Sequence, residues 1–251
     1  MFLHGLMGSA ANWRRIIRDF EKDYQILAYD QRGHGRSFKP DSGYGPQDYA
    51  EDLVRILDDL GWEKIYLVGH SMGGRNALEF SHHYMRRIIK LVIEDIGPNG
   101  DARAIEGIER LLALVPTPFS SKTEAKNFFE NEYPQRIQHH PQPVILSQYF
   151  YSNMTETPEG KADWRFSKEG ILESVRAGRK EDRWDMLRAL TVPTLVVRGD
   201  RSEDLPREIF ARMLRENPKY VTGIEIADSG HWVHFDQPEA FVRALQDFFQ
   251  D

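Results

Sequence analysis

Cysteine is absent from the 251 residues, which removes disulfides, thiolate metal sites and cysteine nucleophiles together. No apolar run comes near the roughly 18 to 20 residues that a membrane-spanning helix needs. Met1-Phe2-Leu3-His4-Gly5 lacks the basic flank and long apolar core of a secretory signal, so the cytoplasm is the expected location. A formal net charge of −6 offers no basic footprint for nucleic acid. Internal repeats and low-complexity tracts are missing as well. What is present, 40% hydrophobic and 29% charged residues, is the composition of an ordinary globular protein. The length suits one large domain or one domain carrying an insertion.

Short apolar runs alternate with amphipathic ones through the first 98 residues. Met1–Leu3, Tyr24–Tyr29, Ile65–Val68 and Ile88–Ile93 read as strands. Between them, Ala11–Phe20, the stretch from Tyr49 to Leu60 and the stretch from Asn76 to about Tyr84 carry apolar residues at helical spacing. Gly61 closes the second of these as a C-cap. This rhythm predicts βαβ units and a parallel sheet. After Pro98 it breaks. From about 99 to 190 the periodicity is helical with no convincing strand, punctuated by prolines and dense in aromatics: Phe119, Phe128, Phe129, Tyr133, Tyr149, Phe150, Tyr151, Trp164, Phe166 and Trp184. Most of these are expected to form the insertion's own core, with some left to line an apolar pocket. The sheet resumes at Pro193–Gly199 and Gly223–Ile226, with helices predicted from Arg207 to Glu216 and from Pro238 onward. The domain reading is therefore a core of 1–98 and 191–251 with a helical cap over 99–190.

Gly69-His70-Ser71-Met72-Gly73 fits G-x-S-x-G between a strand and a helix, the setting in which a serine is held out on a sharp turn. Such a serine needs a base and amide donors for an oxyanion. On this architecture the base is a late histidine. His231 follows the last strand on a glycine-preceded loop, with His234 as its rival three residues on. His34 and His70 sit inside tight turns and read as structural, whereas His82-His83 and His139-His140 read as solvated surface without the further ligands a metal would need. The acid should lie at the carboxyl end of a strand, where it can orient the imidazole. Asp95 qualifies after the strand that follows the elbow. Asp200, Glu203 and Asp204 qualify after the penultimate strand, with Asp204 also readable as a helix N-cap. Met72 N–H is one oxyanion donor, and the other comes from the first glycine-rich loop.

Phe2-Leu3-His4-Gly5, Asp30-Gln31-Arg32-Gly33-His34-Gly35-Arg36-Ser37, the elbow and Gly230-His231 together resemble the α/β-hydrolase superfamily, and the likeness spans nearly the whole chain. Glu94-Asp95-Ile96-Gly97-Pro98 and Gly230-His231-Trp232-Val233-His234 resemble, more narrowly, small bacterial serine esterases and mitochondrial abhydrolase-domain relatives. The resemblance implies an α/β-hydrolase fold with a helical cap and no metal or cofactor. The usual superfamily position for the acid is occupied here by Ser202, which cannot do that work; the narrower group points to Asp95. The same likeness makes Leu6 N–H the second oxyanion donor. Family members usually begin with an antiparallel strand pair, which is missing before Met1.

The expected function is carboxylester hydrolysis by Ser71, His231 and Asp95, with Leu6 and Met72 amides at the oxyanion. Short to medium acyl or small aromatic esters are the expected substrates, and thioesters suit the same chemistry. A lactonase or a carbon–carbon bond hydrolase would share the triad. A non-catalytic ligand-binding protein on the same frame is the alternative from another class. Oligomeric state and acyl preference are not legible.

Overall fold

In the computed structural model, which describes residues 1–101 and 103–250, the first half alternates strand and helix. It runs β1 (Phe2–Leu3), a 3₁₀ turn (Ala10–Trp13), α1 (Arg14–Ile17), α2 (Pro46–Asp59), β2 (Ile65–His70), α3 (Met72–Tyr84) and β3 (Ile88–Glu94). The stretch between 99 and 190 holds α4 (Ala104–Ala113), α5 (Lys122–Asn127), α6 (Tyr133–Arg136) and α7 (Pro143–Ser152). A hairpin of β4 (Met154–Glu156) and β5 (Ala162–Trp164) follows, then α8 (Lys168–Arg179) and α9 (Trp184–Arg188). The chain ends through β6 (Thr194–Gly199), α10 (Arg207–Glu216), β7 (Val221–Ile226), α11 (Val233–Asp236) and α12 (Pro238–Gln250).

Among the described residues the main sheet has five strands, all parallel, in the order β1-β2-β3-β6-β7. Its apolar runs are buried on both faces, as a parallel sheet covered by helices requires. Leu67, Leu91, Ile93 and Val196 face Leu53 and Leu57 of α2, Phe80 of α3 and Leu187 of α9. Their neighbours in sequence, Val68, Val92, Leu195 and Val197, face Trp13, Phe241, Leu245 and Phe249 on the other side. Each such side chain, taken fully out of water, contributes about 1.5–3 kcal/mol before the entropy of ordering is set against it. Register then fixes where the loops emerge. Leu3 pairs with Gly69, His70 with Glu94, Glu94 with Val197, and Gly199 with Ile226. The segments beginning at His4, Ser71, Asp95, Asp200 and Ala227 therefore leave the sheet along one edge.

Two expectations change. Tyr24–Tyr29 does not form a full strand: only Ala28 bridges Phe2, with Phe2 N–H donating to Leu27 carbonyl at 2.9 Å. Its partner β1 offers two residues, too few for a ladder, although Ile26 and Ala28 still pack on one layer and Leu27 and Tyr29 on the other. Within 99–190, where helices alone were expected, β4 and β5 pair antiparallel from Met154–Trp164 to Glu156–Ala162. Strands of three residues are too short for periodicity to register. The turn between them was visible as Thr157-Pro158-Glu159-Gly160, with Gly160 at φ 78°. Most of the aromatics here form a separate core in which Phe119, Phe128, Phe129, Tyr133, Phe150 and Trp164 are all buried. Trp184 instead joins the sheet layer.

Candidate active site

Ser71 sits at φ 53°, ψ −118°, between the last residue of β2 and the first of α3. A non-glycine residue held there costs on the order of 1–3 kcal/mol, which the surrounding turn must impose. Close approach makes the turn glycine-dependent: a Cβ on Gly5 would lie 2.7 Å from His70 Nδ1 and 3.3 Å from Ser71 Cβ. The strain leaves Ser71 Oγ facing a cavity of about 600 Å³.

His231 Nε2 lies 2.9 Å from Ser71 Oγ, and its Nδ1–H donates to Asp95 Oδ2 at 2.8 Å. Asp95 is fully buried at the end of β3, also at positive φ. Gly199 N–H and the Ser202 hydroxyl donate to the same carboxylate. Ser202, the residue at the usual acid position, thus donates to a carboxylate supplied by the neighbouring strand. Burial raises the Asp95 pKa, and the bonds from His231, Ser202 and Gly199 work against that rise. The rival carboxylates sit differently. Asp200 Oδ1 accepts from Ser229 N–H at 3.1 Å and braces the loop before His231. Asp204 Oδ2 lies 3.6 Å from His231 Nδ1, farther than Asp95. It is not the N-cap of α10, a position taken by Pro206. Burial alone would lower the His231 pKa, but Asp204, Asp95 and Glu94 together push it up to about 9.

His234, the rival base, is turned away from Ser71. Its backbone N–H and Nδ1–H both go to buried Glu94, at 2.9 and 2.8 Å. His70 Nε2–H donates to His231 carbonyl at 2.9 Å, and burial holds that imidazole neutral. His70, Glu94 and His234 are the one group among the described residues whose ligand atoms cluster as a metal site would need. Their protons are already committed to protein acceptors, which fits a hydrogen-bonded support under His231 better than a metal centre. His82 and His83 lie on the surface, as expected. His140 does not: it is half-buried and lines the cavity beside Glu203 and Asp204.

The glycine-rich loop after β1 meets the elbow at the cavity floor. Leu6 N–H has no protein acceptor among the described residues, and Met72 N–H stands at the first helical position, where the helix itself offers none. Two sets of bonds hold the loop. His4 donates from Nδ1 to Gly5 carbonyl and accepts from Gln31 N–H, while the Gln31 side chain links His4 carbonyl to Asn76. From the insertion, Tyr149 hydroxyl donates to Leu6 carbonyl at 2.7 Å. Of the ten aromatics noted in the insertion, Tyr149 alone lines the cavity. Outside the insertion Trp232 adds a second aromatic wall, 5.4 Å from the Tyr149 ring, and aliphatic or thioether walls come from Met7, Met72, Ile108, Leu111, Leu146 and Val175. The parts that sequence reasoning missed are Ser202 as a donor to Asp95, Tyr149 as the brace on the loop, and Arg75 and Arg179 in the cavity wall. A tyrosine among ten aromatics and two arginines among many carry no local signal.

Residues 1–244 match the model of the alpha/beta hydrolase family. The chain belongs to that family, and it is a hydrolase. It is 28% identical to Esterase YbfF of Escherichia coli, over 100% of this chain and 92% of that one. It is 25% identical to 2-(acetamidomethylene)succinate hydrolase of Mesorhizobium japonicum, over 99% of this chain and 86% of the relative. Among solved structures, a marine microorganism esterase superposes with a TM-score of 0.82 at 25% identity, covering 98% of this chain and 93% of the other. No helix among the described residues is long and apolar enough to cross a membrane.

Proposed function

We propose that the protein is a serine carboxylesterase acting through an acyl-enzyme, with Ser71 as nucleophile, His231 as general base and acid, and Asp95 as the carboxylate that orients it. The observation that carries this reading is the unbroken chain Ser71 Oγ–His231 Nε2–His231 Nδ1–Asp95 Oδ2, with links of 2.9 and 2.8 Å, facing the cavity. Neutral His231 takes the Ser71 proton as Oγ adds to the acyl carbonyl. Asp95 steadies the imidazolium that results. The tetrahedral oxyanion is received by Leu6 and Met72 amides, a donor pair of which each member is worth on the order of 3 kcal/mol of barrier. Imidazolium Nε2–H then protonates the departing alkoxide, leaving an acyl-serine. Water, deprotonated by the same nitrogen, adds to the acyl carbonyl; collapse returns the proton to Ser71 and releases the acid.

The similarity to Esterase YbfF favours an ester as the scissile group. The similarity to 2-(acetamidomethylene)succinate hydrolase supports a second reading in which the bond is not a simple ester, cleaved by the same three residues. The aliphatic walls of the 99–190 segment suit a short to medium acyl chain, and the Tyr149–Trp232 pair leaves a small aromatic ester within the same reading. The test is covalent labelling by a fluorophosphonate probe together with p-nitrophenyl butyrate turnover. Ser71→Ala is expected to lose both. Retention of most of the turnover by that variant would mean that another group is the nucleophile.

A further inference from the structure

Two guanidinium groups in the wall of the cavity have no part in the chemistry above. Arg75, one helical turn after Ser71 on α3, is 4% exposed. One of its Nη groups donates to Gly178 carbonyl at 2.9 Å, the other to Asn99 carbonyl, and its Nε has no partner. Arg179, the last residue of α8, is half-buried and lines the same cavity. Among the described residues, neither guanidinium has a carboxylate within 4.0 Å, whereas the adjacent Arg183 holds Glu79 at 3.0 Å. The nearby acids pair with other groups: Asp204 stands beside His231, Asp101 lies 3.8 Å from Arg103, Asp182 accepts from Gly100 N–H, and Glu203 is at the exposed rim.

Carbonyl oxygens satisfy protons but do not neutralise a buried charge, and an uncompensated one is costly. Burial, with Arg179 and Arg183 nearby, brings the Arg75 pKa down to about 8 against the opposing fields of Asp182 and Asp101, and burial lowers that of Arg179 against those of Asp204 and Asp101. A ligand anion placed between the two would relieve both. Guanidinium groups bind carboxylates through charge-assisted, planar hydrogen bonds.

We propose that Arg75 and Arg179 form a carboxylate subsite within the Ser71 cavity, so that the preferred substrate is an ester that carries a free carboxylate a few carbons from the scissile carbonyl. The spacing follows from the helix: residues one turn apart are separated along the axis by on the order of 5–6 Å, the reach of a four- to six-carbon dicarboxylic half-ester. The substrate class rests on the hydrolase reading above, and the experiment separates the two. The deciding variant is Arg179→Gln, since Arg75 also ties Asn99 and Gly178 to α3 and its loss risks the fold. Monoethyl glutarate and its uncharged counterpart ethyl glutaramate are compared by kcat/KM. Wild type is expected to favour the carboxylate ester by about tenfold or more, and Arg179→Gln to lower that ratio by about tenfold, with Arg179→Lys in between. Equal rates in wild type, or an unchanged ratio in Arg179→Gln, overturn the subsite. If wild type cleaves neither ester, the esterase reading falls, and calorimetry with glutarate decides the subsite alone. Binding that Arg179→Gln loses supports it, and no binding to wild type refutes it.

Discussion

Replacing Asp204 with asparagine is expected to move the acid limb of the pH–rate profile downward by about one unit. Asp204 Oδ2 lies 3.6 Å from His231 Nδ1 but does not own its proton, which goes to Asp95 at 2.8 Å. Its influence is therefore a charge effect. A carboxylate near the imidazole stabilises the protonated form, and this is one reason the His231 pKa stands at about 9 despite burial. Asp204 is 47% exposed, so water screens it heavily. With an effective dielectric constant of about 60, two unit charges at that separation interact by roughly 1.5 kcal/mol, close to one pKa unit. The neutral imidazole is the form that accepts the Ser71 proton, so the rate is lost as pH falls through this pKa. Asp204→Asn lowers the pKa, shifts the limb to lower pH, and raises kcat/KM near neutrality by up to about tenfold. The assay is kcat/KM for p-nitrophenyl butyrate from pH 5 to 10 at low and high salt, with the shift shrinking as salt rises. An acid limb that stays in place, or moves upward, would refute the assignment of His231 as base under Asp204's field.

Asp95→Asn is expected to lower kcat on the order of 10³-fold or more at every pH, because an amide favours the wrong imidazole tautomer and leaves the imidazolium without its partner. Asp200→Asn is expected to retain most of the rate, since its bond to Ser229 N–H only braces the loop; the reverse pattern in steady-state kinetics would transfer the acid to β6. Tyr149→Phe removes the 2.7 Å bond to Leu6 carbonyl. Worth about 1 kcal/mol, its loss should lower kcat three- to tenfold with a smaller change in KM, and an unchanged kcat would mean that the loop holds itself.

The architecture was legible where patterns are long. Two-residue alternation with both faces apolar, as in Leu91-Val92-Ile93, marks a central parallel strand whatever its surroundings. Helices α10 and α12 begin where the periodicity placed them. The failures share a cause, since each depended on a partner that local sequence does not name. Tyr24–Tyr29 has strand residues, but β1 gives it two to pair with. The β4–β5 hairpin is stable because Phe119 and Ala162 exchange backbone bonds at 2.8 and 3.0 Å, a contact across more than forty residues. His140 reads as surface beside His139, yet it is half-buried in the cavity lining that also holds Glu203 and Asp204, residues far away in the chain. Asp204 reads as a cap because a carboxylate just before a helix usually is one, but here the loop carries it toward His231 instead.

The place of Asp95 shows why the acid could be narrowed from the residues and not fixed by them. β3 and β6 are neighbours in register, with Glu94 opposite Val197 and Asp95 N–H donating to Val197 carbonyl at 2.8 Å. Either strand end therefore delivers a carboxylate to the same point below His231 Nδ1, and composition alone does not choose between them. Ser202 carries the discriminating information. A hydroxyl at the usual acid position has no catalytic use there, but it can donate, and it donates to Asp95 Oδ2 while accepting from Asp204 N–H at 3.2 Å. With Gly199 N–H on Oδ1 at 3.0 Å, the buried carboxylate is met on both oxygens before His231 is counted. A charge with no solvent exposure persists only with such partners. The loop after β6 thus solvates a carboxylate that arrives from β3, with the Ser202 hydroxyl and Gly199 N–H as its donors.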